Sequence, residues 1–245
     1  MMSRRNERSL HVGQGATALT AGAESYRNLK ARAPLRRLVR GAAHSVRAWC
    51  IPAVTALGLL GGAAAEASPD AGAFLTSRGA ITAPGGAAGL CQKYAWACAH
   101  TAQRSMSESA LLQLATAVND KVNRQTRSIE DRRQYGREEY WALPTRRGGD
   151  CEDFVLLKKK ILLSYGVASN RLLIATVLDR KLRSHAVLVL RTAKGDLILD
   201  NQNRKILPWN RTGYTFLKKQ NPKALGSWQA VLAGGVISER PTASR

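Results

Sequence analysis

The chain has 245 residues, of which 44% are hydrophobic, and this is enough apolar side chain for one packed domain of ordinary size. The composition therefore argues against a chain that is disordered along its whole length. The formal net charge is +21, and residues 66–245 alone carry 28 basic and 15 acidic side chains, so we expect the protein to attract acidic surfaces and polyanions.

Residues 1–65 have the composition of an export signal. Basic side chains precede an apolar run at 49–65, whose length suits the hydrophobic region of a signal peptide and is short for a membrane span of about 20 residues. Small residues suited to cleavage follow, before Glu66 or before Ser68. We therefore predict a basic region with a cleaved signal peptide over 1–65 and a periplasmic protein. Because the basic region is unusually long, an uncleaved membrane anchor, a cytoplasmic chain and a start codon downstream of Met1 stay open.

The four cysteines also bear on export and on the candidate nucleophile. Signal cleavage would remove Cys50, while Cys91 and Cys98 are close enough in sequence to close a small disulfide loop of the kind that persists outside the cytoplasm. Cys151 is then unpaired. An unpaired cysteine in an exported protein is a candidate reactive thiol, although a small buried apolar side chain is the alternative interpretation.

The predicted elements follow the export segment in a simple order. Residues 66–106 are rich in small residues and predict a loop-rich N-terminal segment that contains the Cys91–Cys98 disulfide. Residues 107–233 are the predicted main domain. It opens with an amphipathic helix capped by Ser107, and after a loop a second helix begins at Cys151.

Beyond Gly166 the periodicity changes from helical to extended. Apolar runs at 171–178, 185–192 and 196–202 predict strands, and later segments with β-prone aromatic residues close the sheet. Residues 234–245 are predicted to be a flexible tail. Helices followed by an antiparallel sheet predict an α+β fold.

The sequence GGDCED surrounds the unpaired cysteine. With Asp150 as N-cap and Asp153 three residues later, it resembles an acidic capping box, and the two glycines leave space for a substrate backbone. Cys151 becomes the first helical residue, where the helix terminus favours the thiolate.

The acids around Cys151 act in the opposite direction. The negative charges of Asp150, Glu152 and Asp153 raise the pKa of a neighbouring thiol. Either they cap the helix and point to solvent, or they hold a hard cation such as calcium, which would cancel their effect.

A thiol nucleophile needs a base, and His185 is the histidine that opens a core strand, although such a histidine also serves purely structural roles. If the turn comprises 192–195, Arg191 pairs with Asp196. Asp200 then lies diagonally from His185 on the same face of the hairpin, within side-chain reach, whereas a one-residue slip would move it to the other face. The spacing therefore permits a Cys-His-Asp triad and predicts a register.

Several segments together resemble one known family. They are EEYWALPTRRGGDCEDFVLLKKK, SHAVLVL, LILDNQ, DNQNRKILPW and TGYTFLKKQ, within residues 110–231 or roughly half of the chain. In content and order they resemble the bacterial transglutaminase-like cysteine proteinases (BTLCP), the LapG-like periplasmic proteases. The resemblance implies a papain-like, transglutaminase-like fold with N-terminal helices packed on an antiparallel sheet. It also implies that Cys151 is the nucleophile, His185 the general base and Asp200 the residue that orients the base.

The same resemblance implies a cofactor and a reaction. Studied members use calcium held by acidic residues beside the nucleophile. Asp150 and Glu152 match those positions, and Asp153 is a third candidate. The implied reaction is that of a cysteine endopeptidase, with acyl transfer through a thioester and water as the second acceptor.

The family also implies partners, which the residues alone do not. Its known task is the proteolysis of large surface adhesins, which connects it with biofilms. The protease is released when an inner-membrane cyclic-di-GMP receptor stops sequestering it. We therefore expect a protein substrate, with a surface adhesin and an inner-membrane regulatory receptor as candidate partners, and a monomeric enzyme.

Two other functions stay open at this point. A transglutaminase would use the same triad with an amine as acceptor. A non-enzymatic basic protein would bind anionic polymers. The basic groups at 158–160, 180–183 and 218–219 lie in separate segments and are interpreted as a solvated surface, and without a nucleic-acid-reading motif no nucleic-acid partner is expected.

Overall fold

A seven-stranded antiparallel sheet is the framework of residues 72–238, which are the residues that the computed structural model describes. Its strands are β1 (Gly79–Ile81), β2 (Leu172–Leu178), β3 (Ser184–Thr192), β4 (Gly195–Leu199), β5 (Leu207–Pro208), β6 (Thr215–Asn221) and β7 (Ala224–Ala233). Their order across the sheet is β1-β7-β6-β2-β3-β4-β5, so β2 and β3 are central.

Six α-helices accompany this sheet in the described part of the chain. They are α1 (Leu90–Lys93), α2 (Ala95–Cys98), α3 (Glu108–Gln125), α4 (Asp131–Tyr135), α5 (Cys151–Ser164) and α6 (Gly235–Ser238). The two long helices, α3 and α5, precede all but the first strand. The predicted α+β fold is therefore confirmed.

Local sequence signals fix the ends of the long helices. The hydroxyl of Ser107 accepts a hydrogen bond from the backbone N–H of Ala110 at 3.2 Å, as predicted for the cap of α3. Helix α5 begins at Cys151, and just beyond its end Gly166 adopts a left-handed φ of 87°, which glycine adopts without strain.

The central strands are buried on both faces, which explains why β2 is a continuous apolar run. Leu172 and Ile174 belong to the core that the sheet shares with the helices, whereas Leu173, Ala175 and Val177 belong to the core on the opposite face. Packing α5 against the first of these faces carries the N-terminus of the helix to the sheet.

Helix α5 also buries charge, which the sequence did not indicate. Lys158 and Lys159 are fully buried, so the interpretation of 158–160 as solvated surface is wrong for these two residues. The ammonium group of Lys159 donates to the side-chain carbonyl of Gln220 at 2.6 Å, whereas that of Lys158 has no hydrogen-bond partner among the described residues. Burial lowers the pKa of each lysine to about 7, so both amines lose their charge near neutral pH.

The β3–β4 hairpin has the predicted register. Arg191 pairs with Asp196 and Thr192 with Gly195, so the turn is the predicted 192–195 segment. The ladder ends where Leu188 pairs with Leu199, and the chain leaves the sheet at Asp200.

The N-terminal segment contains the predicted disulfide. Cys91 and Cys98 are bonded and connect α1 with α2. The loop-rich segment also contributes β1, which pairs with β7 at the edge of the sheet. The signal or anchor predicted over 1–65 and most of the tail predicted over 234–245 lie outside the described residues. Within 72–238, no helix combines the length and the apolar character that crossing a bilayer requires.

Candidate active site

A cavity of about 280 Å³ brings the predicted nucleophile and base together. It lies where α5 begins, beside the ends of β2 and β3, and Cys151 and His185 both line it. Its walls also include Gly86, Trp141 and Lys218. Trp141 is 4% exposed and packs edge-to-face on Trp228, so it is at once a core residue and part of the cavity wall.

Cys151 is partly buried at the first position of α5. Its thiol donates a hydrogen bond to one carboxylate oxygen of Glu152 at 3.2 Å. Burial, together with the charge and the hydrogen bond of Glu152, raises the pKa of the Cys151 thiol well above its ordinary value, although the backbone N–H of Ala186 on β3 acts in the opposite direction. With these protein groups alone, the thiol is protonated at neutral pH.

The start of α5 differs from the predicted capping box. Asp150 occupies the N-cap position but makes no side-chain capping bond. One of its oxygens accepts from the backbone N–H of Asp131 at 3.2 Å instead. The Asp153 side chain does not accept a hydrogen bond from the backbone N–H of Asp150, as a capping box requires. Its Oδ1 accepts instead from the backbone N–H of Ala142 at 2.8 Å. Both acids thus tie loops to the helix.

The two glycines before Cys151 serve internal packing and do not make room for a substrate backbone. A Cβ at Gly148, whose φ is 122°, would lie 2.0 Å from the backbone oxygen of Arg127. A Cβ at Gly149 would lie 2.4 Å from a carboxylate oxygen of Asp153. The prediction that they accommodate substrate is therefore wrong.

His185 and Asp200 form the hydrogen-bonded pair that the hairpin register predicted. The Nε2 atom of His185 lies 2.8 Å from Oδ1 of Asp200, and the two residues are 4% and 3% exposed. The ring nitrogen Nδ1 is left to exchange a proton with another group. Asp200 therefore lies where it can fix the orientation and tautomer of the imidazole.

The Asp200 carboxylate has several further donors. The hydroxyl of Tyr214 donates to Oδ2 at 2.6 Å, and the backbone N–H of Gln202 donates to Oδ1 at 2.9 Å. Although burial opposes the effect, the hydrogen bonds from His185, Tyr214 and Gln202 hold the pKa of Asp200 below its ordinary value. The carboxylate is ionised at neutral pH despite its burial.

A second group of carboxylates lies beside the thiol. One oxygen each from Asp131, Asp150 and Glu152 lies within 4.8 Å of the other two. Each of these residues has one oxygen that accepts a hydrogen bond and one buried oxygen that has no partner among the described residues. Three carboxylates that lie this close, each with an unpartnered buried oxygen, fit a hard cation.

Asp131 is the member of this cluster that the sequence did not identify. It lies 20 residues before Cys151, and a short parallel bridge between Ser128 and Gly149 brings the two segments together. The backbone N–H of Ile129 donates to the oxygen of Gly149 at 3.0 Å. No local spacing signal marks this pairing, because it depends on two loops that meet in space.

Asp153, predicted as a third candidate ligand, lies outside the cluster. It is fully buried, and burial raises its pKa to about 8. Burial likewise raises the pKa of Asp150 to about 6 and that of Glu152 to about 10, and raises the pKa of Asp131. These carboxyl groups share protons unless a positive charge compensates them.

The comparisons with known proteins give a family. Residues 77–235, well over half of the chain, match the family model described as bacterial transglutaminase-like cysteine proteinase BTLCP. No curated protein matches the chain.

Three solved structures of Legionella pneumophila LapG are similar to parts of the chain. The calcium-bound form is 25% identical, over 55% of this chain and 75% of LapG, with a TM-score of 0.43. A second structure is 30% identical, over 49% and 69%, with a TM-score of 0.43. The EGTA-treated form is 28% identical, over 45% and 63%, with a TM-score of 0.40.

The Tyr214 hydroxyl is expected to stabilise the fold through Asp200. Replacing Tyr214 with Phe leaves Oδ2 of Asp200 buried without its donor, which costs about 1–3 kcal/mol of unfolding free energy. Urea denaturation measures the change. Tyr165→Phe, at a half-buried tyrosine whose hydroxyl has no hydrogen bond within residues 72–238, is the matched control and should cost less. Equal losses in the two variants would contradict the assignment.

Proposed function

The chain belongs to the bacterial transglutaminase-like cysteine proteinases, and from this premise we propose that it is a periplasmic endopeptidase that uses Cys151, His185 and Asp200. In this proposal Cys151 is the nucleophile, His185 the general base and Asp200 the residue that orients the base. One observation carries it: Cys151 and His185 line the same cavity, and His185 is hydrogen-bonded to a buried, ionised Asp200. Family membership makes the chain a transglutaminase-like cysteine peptidase. The residue roles are our assignment.

The first half of the reaction forms a thioester. His185 Nδ1 takes the proton of the Cys151 thiol, and the sulfur attacks the carbonyl carbon of the scissile peptide bond. The backbone N–H of Cys151, which has no intrahelical partner at the start of α5, stabilises the oxyanion together with a second donor. The C–N bond breaks, and His185 returns the proton to the leaving amine.

The second half hydrolyses the thioester. His185 takes a proton from water, the hydroxide attacks the thioester carbonyl, and the C–S bond breaks. The new carboxylic acid leaves and the thiol is restored. Throughout both halves Asp200 stabilises the imidazolium through Nε2, and Tyr214 and Gln202 keep the Asp200 carboxylate in place.

The acid cluster supports a calcium requirement. We assign Asp131, Asp150 and Glu152 as ligands, so that Asp131 replaces Asp153 in the set expected from sequence. Bound calcium would supply positive charge beside the thiol. Glu152 would then serve the cation instead of accepting the thiol proton, and the thiolate would become accessible at neutral pH.

Two features of the chain favour export, whereas the partners follow from the family. The composition of residues 1–65 and the Cys91–Cys98 disulfide, which suits an oxidising compartment, favour a periplasmic enzyme. A cell-surface adhesin as substrate, an inner-membrane receptor as regulator and a monomeric state are carried over from the family as proposals.

Calcium binding should depend on Asp131 and on pH. We expect isothermal titration calorimetry to show one calcium site whose affinity increases from pH 6 to pH 8, with proton release, because carboxyl groups with raised pKa values must ionise to bind the metal. Asp131→Asn should weaken binding by about tenfold or more, through the loss of one charged ligand. Asp120→Asn, on α3 outside the cluster, is the control. Equal affinity of both variants would contradict the site.

Product analysis tests the proposed reaction. The protein is incubated with calcium, a library of peptides and a fluorescent primary amine, and products are identified by mass spectrometry. We expect new peptide termini, loss of cleavage in Cys151→Ala and a decrease of about 10²–10⁴-fold in Asp200→Asn.

Other outcomes would decide against this proposal. Amine-conjugated peptides without hydrolysis would show a transglutaminase. Cleavage that persists in Cys151→Ala would contradict the assigned nucleophile. An intact library, together with tight binding of an anionic polymer, would favour the basic binding protein.

A further inference from the structure

A turn rich in positive charge precedes His185. The residues between β2 and β3 are Asp179, Arg180, Lys181, Leu182 and Arg183, and we refer to them as the basic turn. At its base Leu178 pairs with Ser184 and Val177 with His185, so the turn is directly joined to the candidate base. Arg180, Lys181 and Arg183 are all exposed.

The basic turn is held in a fixed shape by Asp179. Its buried carboxylate accepts hydrogen bonds from the backbone N–H groups of Lys181 at 2.7 Å and Arg183 at 3.0 Å, and from the Arg183 guanidinium at 2.9 Å. These bonds, first among them that from the Arg183 backbone, lower the pKa of Asp179 to about 2. Arg180 is fixed separately, because its Nε donates to the backbone oxygen of Thr212 at 2.9 Å. These bonds fix the backbone of the turn and hold the Arg180 and Arg183 guanidinium groups, whereas Lys181 is positioned through its backbone alone.

The charges of the turn do not balance. Asp179 is the acidic partner of Arg183, at 2.8 Å, whereas Arg180 and Lys181 have no acidic partner in the described part of the chain. A cavity of about 200 Å³ adjoins them, and its wall adds the side chains of Gln202, Asn203 and Tyr214. The Asp179–Arg183 pair also lines this cavity, and its two charges offset each other. A carboxylate in the cavity would therefore meet the unpaired cations of Arg180 and Lys181 and the amides of Gln202 and Asn203.

Tyr214 connects this cavity with the candidate catalytic pair. Its hydroxyl donates to Asp200, and its ring packs edge-to-face on His185, with 5.8 Å between ring centroids. A group bound in the cavity would therefore contact the tyrosine that packs on His185 and hydrogen-bonds Asp200.

We propose that the basic turn and this cavity form a substrate subsite that binds an aspartate or glutamate side chain of the polypeptide substrate near the scissile bond. The proposal rests on the proposed endopeptidase function and deepens it, because it names a feature of the substrate. Arg180 and Lys181 are the specificity-determining residues, and Asp179 is a positioning residue that acts through the turn.

A polypeptide fits this site better than an anionic polymer does. A cavity of about 200 Å³ has room for one side chain, whereas an anionic polymer needs an extended basic groove. Leu182, at the tip of the turn, is 57% exposed with a left-handed φ of 59°, a costly conformation for leucine. An exposed apolar side chain beside the cations can contact the apolar parts of a polypeptide, which a purely anionic polymer lacks.

The test uses the full chain with calcium and the peptide library described above. We expect aspartate and glutamate to be enriched at one fixed distance from the cleaved bonds. The best-cleaved peptide is then compared with its amide isostere, Asp replaced by Asn or Glu by Gln. Lys181→Glu should lower kcat/KM for the acidic peptide by about 5- to 10-fold, mainly through KM, and change the amide peptide by less than about twofold.

Two controls decide between a subsite and general charge attraction. Lys223→Glu reverses an exposed charge in the turn after β6, at the end of that strand away from the cavity that holds Cys151, and should leave both peptides unaffected. Lys181→Arg should keep the preference. The subsite is contradicted if library cleavage shows no acidic enrichment, or if Lys223→Glu and Lys181→Glu have equal effects. Absence of all cleavage, by contrast, overturns the proposed function together with the subsite.

Discussion

The burial of three carboxylates against a cysteine thiol is the constraint on which the rest of this structure depends. Asp131, Asp150 and Glu152 are held together by backbone bonds that join the segment before α4 to the start of α5. Burying acids this close raises their pKa values and that of the Cys151 thiol. A nucleophile at this position therefore needs a compensating positive charge, and the unpartnered oxygens of the same three residues indicate where that charge binds.

The His185–Asp200 pair and the acid cluster beside Cys151 differ in how fully the protein satisfies their hydrogen bonds. Asp200 receives donors from His185, Tyr214 and Gln202, so the base and its partner are preorganised by the fold. The acids beside Cys151 each keep one unpartnered oxygen. This asymmetry gives the calcium proposal a clear physical role: the metal would act on the thiol, while the geometry of the histidine pair would persist without it.

The sequence predicted correctly those features that depend on residues close together in the chain. The hairpin register at Arg191 and Asp196, the start of α5 at Cys151 and the Cys91–Cys98 disulfide each follow from short-range spacing, and the structure has all three.

Asp131 and the packing of Gly148 against Arg127 were missed because they depend on loops that are distant in sequence and adjacent in space. Lys158 and Lys159 were misplaced because hydrophobic periodicity assigns charged residues to the surface, whereas α5 is buried on nearly all sides. The family resemblance pointed to Cys151, His185 and Asp200; in the structure His185 is hydrogen-bonded to Asp200, and Cys151 lines the same cavity as His185.

Burial and the acid cluster together raise the pKa of the Cys151 thiol, and we propose that calcium at this cluster controls its ionisation. The most direct measurement is the thiol pKa, from the ultraviolet absorbance of the thiolate in wild type minus that in Cys151→Ala, with calcium and with a chelator. We expect a thiol pKa above the ordinary value of about 8.5 with chelator, a clear decrease of that pKa with calcium, and no decrease in Asp131→Asn. A thiol pKa that is the same with calcium and with chelator would contradict this proposal.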